Sequence, residues 1–179
     1  EKTASLIAAS GFMECVIAPA YDRKAMKILA AKKNLRVMQL KFTDLEKMKY
    51  SIRQVEGGVL VQQKDQRKLS EKDLKVVTRK KPTAAQIASL LFGWKVVKHI
   101  RSNAIVLVKG SRVVGVGCGQ TSRVGSVELA VRKAGKEAKG SLMISDAFLP
   151  HIDNVQAAAK AGIKAIIQTG GSIADESVI

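Results

Sequence analysis

The stretch Ala104-Ile105-Val106-Leu107-Val108-Lys109-Gly110-Ser111-Arg112-Val113-Val114-Gly115-Val116-Gly117-Cys118-Gly119-Gln120-Thr121-Ser122-Arg123 decides how this chain folds. Two β-branched runs, 104–108 and 113–116, flank Lys109-Gly110-Ser111 at the spacing of an antiparallel hairpin. Gly115, Gly117 and Gly119 then loosen the backbone, and Ser122 opens a helix predicted to reach about residue 138. Residues 142–145 read as a strand and 146–152 as a loop. A helix over 153–161 stops at Gly162, and 163–168 form a last core strand leading into Gly170-Gly171. The recurring unit is strand, loop, helix, which predicts an α/β fold with a layered mixed sheet.

Upstream, Pro82 begins the clearest helix. Thr83 with Gln86 three residues on makes a capping box, and Ile87, Leu90, Leu91, Trp94 and Val97 share one face of a helix expected to run to about Ile100. At the start of the chain, residues 6–9 read as a helix end closed by Gly11, and 13–18 as a strand stopped by Pro19. Asp22 caps a helix to about Lys33 with Ala25, Ile28 and Leu29 at helical spacing, and 35–40 alternate as a half-buried strand does. That is β-α-β. Residues 41–81 are a charged stretch around two strands, 51–55 and 59–62, that meet at Glu56-Gly57-Gly58 in a hairpin or bend. Asp175-Glu176 resembles the acidic first turn of a helix left unfinished at Ile179, and no initiator Met stands at Glu1, so the chain reads as a fragment. The alternative is a short tail that simply ends.

The 179 residues carry 31 Lys and Arg against 15 Asp and Glu, a net charge of +16, with 46% apolar and only 4% aromatic residues. Enough is apolar to bury a core, which excludes a disordered chain. No run approaches the ~18 apolar residues that cross a bilayer, and the start lacks a signal-peptide pattern, so we expect a soluble cytoplasmic protein with no membrane partner. Cys15 and Cys118 stand far apart, each in an apolar run, which predicts buried thiols rather than a disulfide framework. Ten basic residues lie between Arg23 and Arg53 and eight between Lys64 and Lys81, which raises nucleic-acid binding. Those segments hold only Phe42 and Tyr50 for stacking and no nucleic-acid motif, so a solvated basic surface facing small anions is the favoured reading, with nucleic acid as its rival.

Neither cysteine has the neighbour a zinc deaminase needs, so no catalytic metal is expected, and His99 and His151 are not promoted. Gly115-Val116-Gly117-Cys118-Gly119 has the wrong third spacing for a dinucleotide turn. What remains is a strand end feeding Gln120-Thr121-Ser122-Arg123 into a helix N-terminus, which offers N–H groups, a hydroxyl and a guanidinium to an anionic or amide-bearing ligand. Equally, Ser122 merely caps the helix. Residues 145–153 and 168–173 are two more loops at strand ends, where α/β sheets bind ligands. Phe148 offers a face to a heteroaromatic ring and Asp153 an acceptor for ring N–H groups; alternatively Phe148 is core and Asp153 a cap.

Several stretches occur in one family's order: Lys32-Lys33-Asn34-Leu35-Arg36; residues 53–62; Val77-Thr78-Arg79-Lys80-Lys81-Pro82-Thr83; Lys98-His99-Ile100-Arg101-Ser102-Asn103-Ala104-Ile105-Val106; residues 119–124; residues 145–153; and Gly170-Gly171-Ser172-Ile173. Together they closely resemble the bifunctional purine biosynthesis family, in the later part of its AICAR transformylase domain. The resemblance implies the domain's cytidine-deaminase-like α/β/α architecture without zinc. Residues 1–81 would end the first transformylase subdomain with its connecting segment, and 82–179 would form the second.

The implied enzyme is phosphoribosylaminoimidazolecarboxamide formyltransferase, which moves the formyl group of the co-substrate 10-formyltetrahydrofolate to the 5-amino group of AICAR in inosinate synthesis. The family commonly fuses a cyclohydrolase domain upstream and builds its transformylase sites at a homodimer interface. Asn103 matches a catalytic Asn beside the reacting groups, Arg123 an AICAR-contacting Arg and Glu14 an acidic nucleotide contact. Val124, Phe148, Asp153, Ser172 and Ile173 match folate-side positions. The family's catalytic Lys-His pair would precede Glu1, and Lys98-His99 is not that pair. Gly125 stands where an acidic residue is common, Leu149 and His151 replace two phenylalanines, and Thr169 replaces a common Pro, which predicts an altered folate pocket.

Overall fold

A computed structural model describes residues 1–41, 43 and 49–179. Phe42 and residues 44–48 of the charged stretch lie outside the described residues. The chain divides into two compact units, Glu1–Arg67 and Lys68–Ile179.

In the first unit, α1 (Lys2–Ala9) and α2 (Arg23–Ala30) accompany the parallel pair β1 (Cys15–Ala18) and β2 (Arg36–Gln39). Asp22 ends its free backbone region as the N-cap, its carboxylate accepting from the Ala25 N–H at 2.6 Å. Ala4, Ala25 and Leu29 form a small core. Tyr21 reaches both strands, its hydroxyl 3.0 Å from the Val16 carbonyl and 2.8 Å from that of Met38. β3 (Tyr50–Val55) and β4 (Gly58–Gln63) make an antiparallel hairpin in which Ile52 faces Val61 and Gln54 faces Val59. Gly57 turns it at φ +80°, a conformation costly for any residue with a Cβ. Every side chain of this ribbon is exposed.

The cysteines are not the buried thiols their apolar runs predict. Cys15 is exposed and Cys118 only half-buried, because β1 lies in a two-stranded sheet with an open face and Cys118 follows the end of its strand.

The second unit is built on a four-stranded sheet in the order β6-β5-β7-β8, with β5 (Ile105–Lys109), β6 (Arg112–Gly117), β7 (Leu142–Ser145) and β8 (Ala165–Ile167). β5 is antiparallel to both β6 and β7, and β7 is parallel to β8. α3 (Ala84–Val97) covers one face, packing Leu90 and Val97 on Val106, Val108 and Ile144. α4 (Arg123–Ala134) and α5 (Asp153–Lys160) cover the other, with Val127, Ala130 and Ala158 against Ile105, Leu107 and Met143. Residues 105–108 of β5 read as an unbroken apolar run because both sheet faces are covered, and all four are 0% exposed. Leu69 and Leu74 join the α3 side of this core.

The Thr83 capping box forms as expected, with the Gln86 N–H donating to Oγ1 at 3.3 Å and the Thr83 N–H donating to Gln86 Oε1 at 2.9 Å. The helix stops at Val97, short of Ile100, because His99 and Ile100 donate to carbonyls three residues back and tighten the last turn. Thr83→Ala removes the cap acceptor and should lower stability by about 1 kcal/mol, read as a lower urea midpoint with an unchanged slope. The helix expected over 122–138 is likewise shorter: α4 ends at Ala134, and Gly135, at φ +54°, starts the 3₁₀ turn Gly135–Ala138.

Gly115 and Gly117 owe their presence to packing. A Cβ on Gly117 would lie 1.8 Å from the Ser126 carbonyl oxygen, and one on Gly115 would lie 2.3 Å from that of Ala130. Two glycines on β6 thus let α4 rest directly on the strand.

Candidate functional site

Strand directions gather the site. Because β6, β7 and β8 run the same way and β5 runs against them, three strand C-termini and the start of β5 share one sheet edge. Ile105 pairs with both Gly117 and Ser145, so Asn103, Arg123 and Asp146 arrive together from three segments.

The guanidinium of Arg123 is their junction. Its Nη1 donates to Ser145 Oγ at 3.0 Å and to Asp146 Oδ1 in a tight ion pair, and its Nη2 donates to Asn103 Oδ1 at 3.0 Å. Asp146 also accepts from the Ala104 N–H at 3.0 Å and, closely, from the Ser102 hydroxyl. Burial alone would raise the Asp146 pKa, but the hydrogen bonds from Ser102, Arg123 and Ala104 and the Arg123 charge outweigh it and hold the carboxyl below its ordinary value. Asn103 is held at its other end as well, its Nδ2 donating to the Gln120 carbonyl at 2.9 Å. Ser126, the buried residue against which Gly117 packs, donates from its hydroxyl to the Asn103 carbonyl at 2.7 Å.

Beside this cluster opens a cavity of about 430 Å³. Asn103, Arg123, Val124, Phe148 and Asp153 all line it, so five of the predicted positions come together. Phe148 is 41% exposed whereas Leu149 is 1% exposed in the core, so the ring is no core residue. Nor does Asp153 cap α5: the N-cap is Ile152, without a side-chain cap bond. Ser122 does cap α4, its Oγ accepting from the Gly125 N–H at 3.2 Å while the residue also lines the cavity.

The remaining predicted residues stand elsewhere. Ser172 and Ile173 occupy the loop after β8, off the cavity lining, with Ile173 wholly exposed. That loop is held by Asp175, whose Oδ2 accepts from the Gly171 N–H at 2.7 Å. Glu14 is an exposed side chain of the first unit. Of the positions that depart from the family, Leu149 changes the core and not the cavity, and its N–H donates to Gln168 Oε1 at 2.6 Å; His151 does line the cavity. Sequence reasoning missed Asp146 and Asn154. The available signal for Asp146 was a carboxylate directly after a strand, Leu142–Ser145, that opens on three apolar residues, since a carboxylate carried into a core is obliged to find a cation. Among the described residues no three His, Cys, Asp or Glu side chains gather as metal ligands, and no helix is long and apolar enough to cross a membrane.

Residues 1–133 match the family described as AICARFT/IMPCHase bienzyme. Over 168 residues the chain is 49% identical to the bifunctional purine biosynthesis protein PurH of Oceanobacillus iheyensis, covering 94% of this chain and 33% of that protein. It is 53% identical over 161 residues to PurH of a Thermoanaerobacter species, covering 90% of this chain and 31% of that protein. PurH of Caldicellulosiruptor saccharolyticus is 48% identical over 168 residues, with 94% and 33% covered. The chain spans about a third of the length of the curated relatives it matches.

Proposed function

Because the chain belongs to the AICARFT/IMPCHase bienzyme family, we propose that its second unit carries part of a formyltransferase site that passes the formyl group of 10-formyltetrahydrofolate to the 5-amino group of AICAR. The observation that carries this reading is the lining of one cavity: a clamped amide and guanidinium, Asn103 and Arg123, together with an exposed ring, Phe148, and a carboxylate, Asp153.

The chemistry asks for such an arrangement. The 5-amino lone pair is conjugated with the imidazole and its carboxamide, so the amine is a poor nucleophile that must be oriented, and the attacked formyl oxygen must be stabilised as charge develops. Asn103 suits both tasks. Its Oδ1 has a second lone pair to accept from the amine, and its Nδ2 has a second hydrogen to donate to an oxyanion. The bonds to Arg123 and Gln120 hold this amide in place before substrate arrives. Arg123, already paired with Asp146, serves as a fixed hydrogen-bond donor to AICAR. Phe148 stacks on the folate ring, Asp153 accepts its ring N–H groups, and Val124 packs beside it.

Ser172 and Ile173 extend the folate side, and for Glu14, in the first unit, the nucleotide contact is the role the resemblance implies. Binding and orientation are the roles that these side chains support. The layered second unit supports a cytidine-deaminase-like fold, and the family supports a homodimer in the cytoplasm.

Calorimetric titration with a non-reactive 10-formyltetrahydrofolate analogue tests the reading. Saturable binding is expected, weakened by about tenfold or more in Asp153→Ala, as loss of a charged acceptor implies. No saturable heat from a folded chain would refute it.

A further inference from the structure

Asn154 is the most deeply buried polar side chain on the cavity wall, 1% exposed as the second residue of α5. Its Nδ2 donates to the His151 carbonyl at 3.0 Å and to Asp153 Oδ1 at 2.7 Å. Both partners are acceptors, so the amide nitrogen must face them; the flipped amide would set oxygen against oxygen. The consequence is at the other end, where Oδ1 is sealed from solvent with no partner among the described residues. An orphaned buried carbonyl is unfavourable, and an apolar side chain of similar size would avoid it. The amide therefore contributes something an apolar residue would not.

What it does is visible in Asp153. Asp153 is the first helical residue, one past the N-cap Ile152, so its carboxylate is not at the position that caps free backbone N–H groups. Among the described residues its only hydrogen bond comes from the Asn154 side chain, whose Nδ2 holds Oδ1. Oδ2 has no protein partner among the described residues and stays available to the cavity.

We propose that Asn154 is a positioning residue that fixes one oxygen of Asp153 and so aims the second at the N–H edge of the ligand ring. The inference rests on the folate reading of the cavity. Asn154 then sets how strongly the site prefers rings with an N–H donor, without touching the ring itself.

The test compares affinity for a non-reactive 10-formyltetrahydrofolate analogue with thermal stability in wild type, Asn154→Leu and Asn154→Ala, each with Asp153 intact or changed to Ala. Asn154→Leu should bind about tenfold more weakly, the value of a hydrogen bond to a charged group, while its unfolding midpoint stays level or rises because the orphaned oxygen is gone. In the Asp153→Ala background, either Asn154 substitution should change affinity less than about twofold, since coupled residues are not additive. The proposal is overturned if Asn154 substitutions weaken binding equally with and without Asp153, or leave it unchanged. It also falls if neither variant folds, which would make Asn154 structural only. Wild type that folds but does not bind the analogue would remove the folate reading itself, and this inference with it.

Discussion

Gly117→Ala is expected to destabilise the second unit by about 3 kcal/mol or more, at or beyond the upper end for overpacking in a core. The new methyl would meet a backbone oxygen, that of Ser126, at 1.8 Å. A flexible side chain could swing aside from such a clash, but here the whole of α4 must retreat from β6. For a unit of this size the loss lowers the midpoint by more than about 10 °C, measurable by circular dichroism. Gly58→Ala is the control: its Cβ would meet nothing within 4 Å and its φ is ordinary, so stability should change by no more than about 0.5 kcal/mol. The same retreat should disturb the candidate site, because α4 carries Arg123 at its start and Ser126 anchors the Asn103 carbonyl.

Asp146→Ala is the second large effect. The side chains of Arg123 and Asp146 are 9% and 14% exposed, so removing the acid leaves a nearly buried guanidinium with only neutral partners. Breaking one half of such a pair costs about 3 kcal/mol, read as a fall in the urea midpoint. Acid titration gives a second readout. Asp146 binds its proton less readily in the folded chain than in the unfolded one, so its contribution is fully present above the unfolded value of ~3.9 and is lost as pH falls through the lower folded value. Wild type should therefore lose stability below about pH 4 more steeply than Asp146→Asn, whose amide does not titrate.

Features decided by neighbours in the chain are legible in the sequence alone. The Thr83 box and the Lys109-Gly110-Ser111 turn depend on side chains within a few residues, and both formed. Features decided by distant neighbours are not. Cys15 sits in an apolar run, but its exposure follows from the number of strands beside β1, which hydropathy does not encode. Gly115 and Gly117 looked like loosened backbone, whereas the constraint comes from carbonyls of a helix laid across them. At the site, Arg123, Phe148 and Asp153 were readable from loop position and chemistry. Asp146 was not, because its role depends on the antiparallel placement of β5 beside β7, which delivers Ser102, Ala104 and Arg123 to one carboxylate.

The β3–β4 ribbon has a consequence for how the chain behaves in solution. One face presents Tyr50, Ile52, Val59 and Val61, each more than half exposed, on strands that pair with no third strand among the described residues. Such a surface is adhesive, and edge pairing between molecules lengthens the ribbon. Opposing it is the net charge of +16, which keeps molecules apart over a Debye length of about 30 Å at 0.01 M salt but only about 8 Å at 0.15 M. Colloidal behaviour is thus governed by ionic strength: dilute buffer favours dispersed molecules, and added salt lets the ribbons meet.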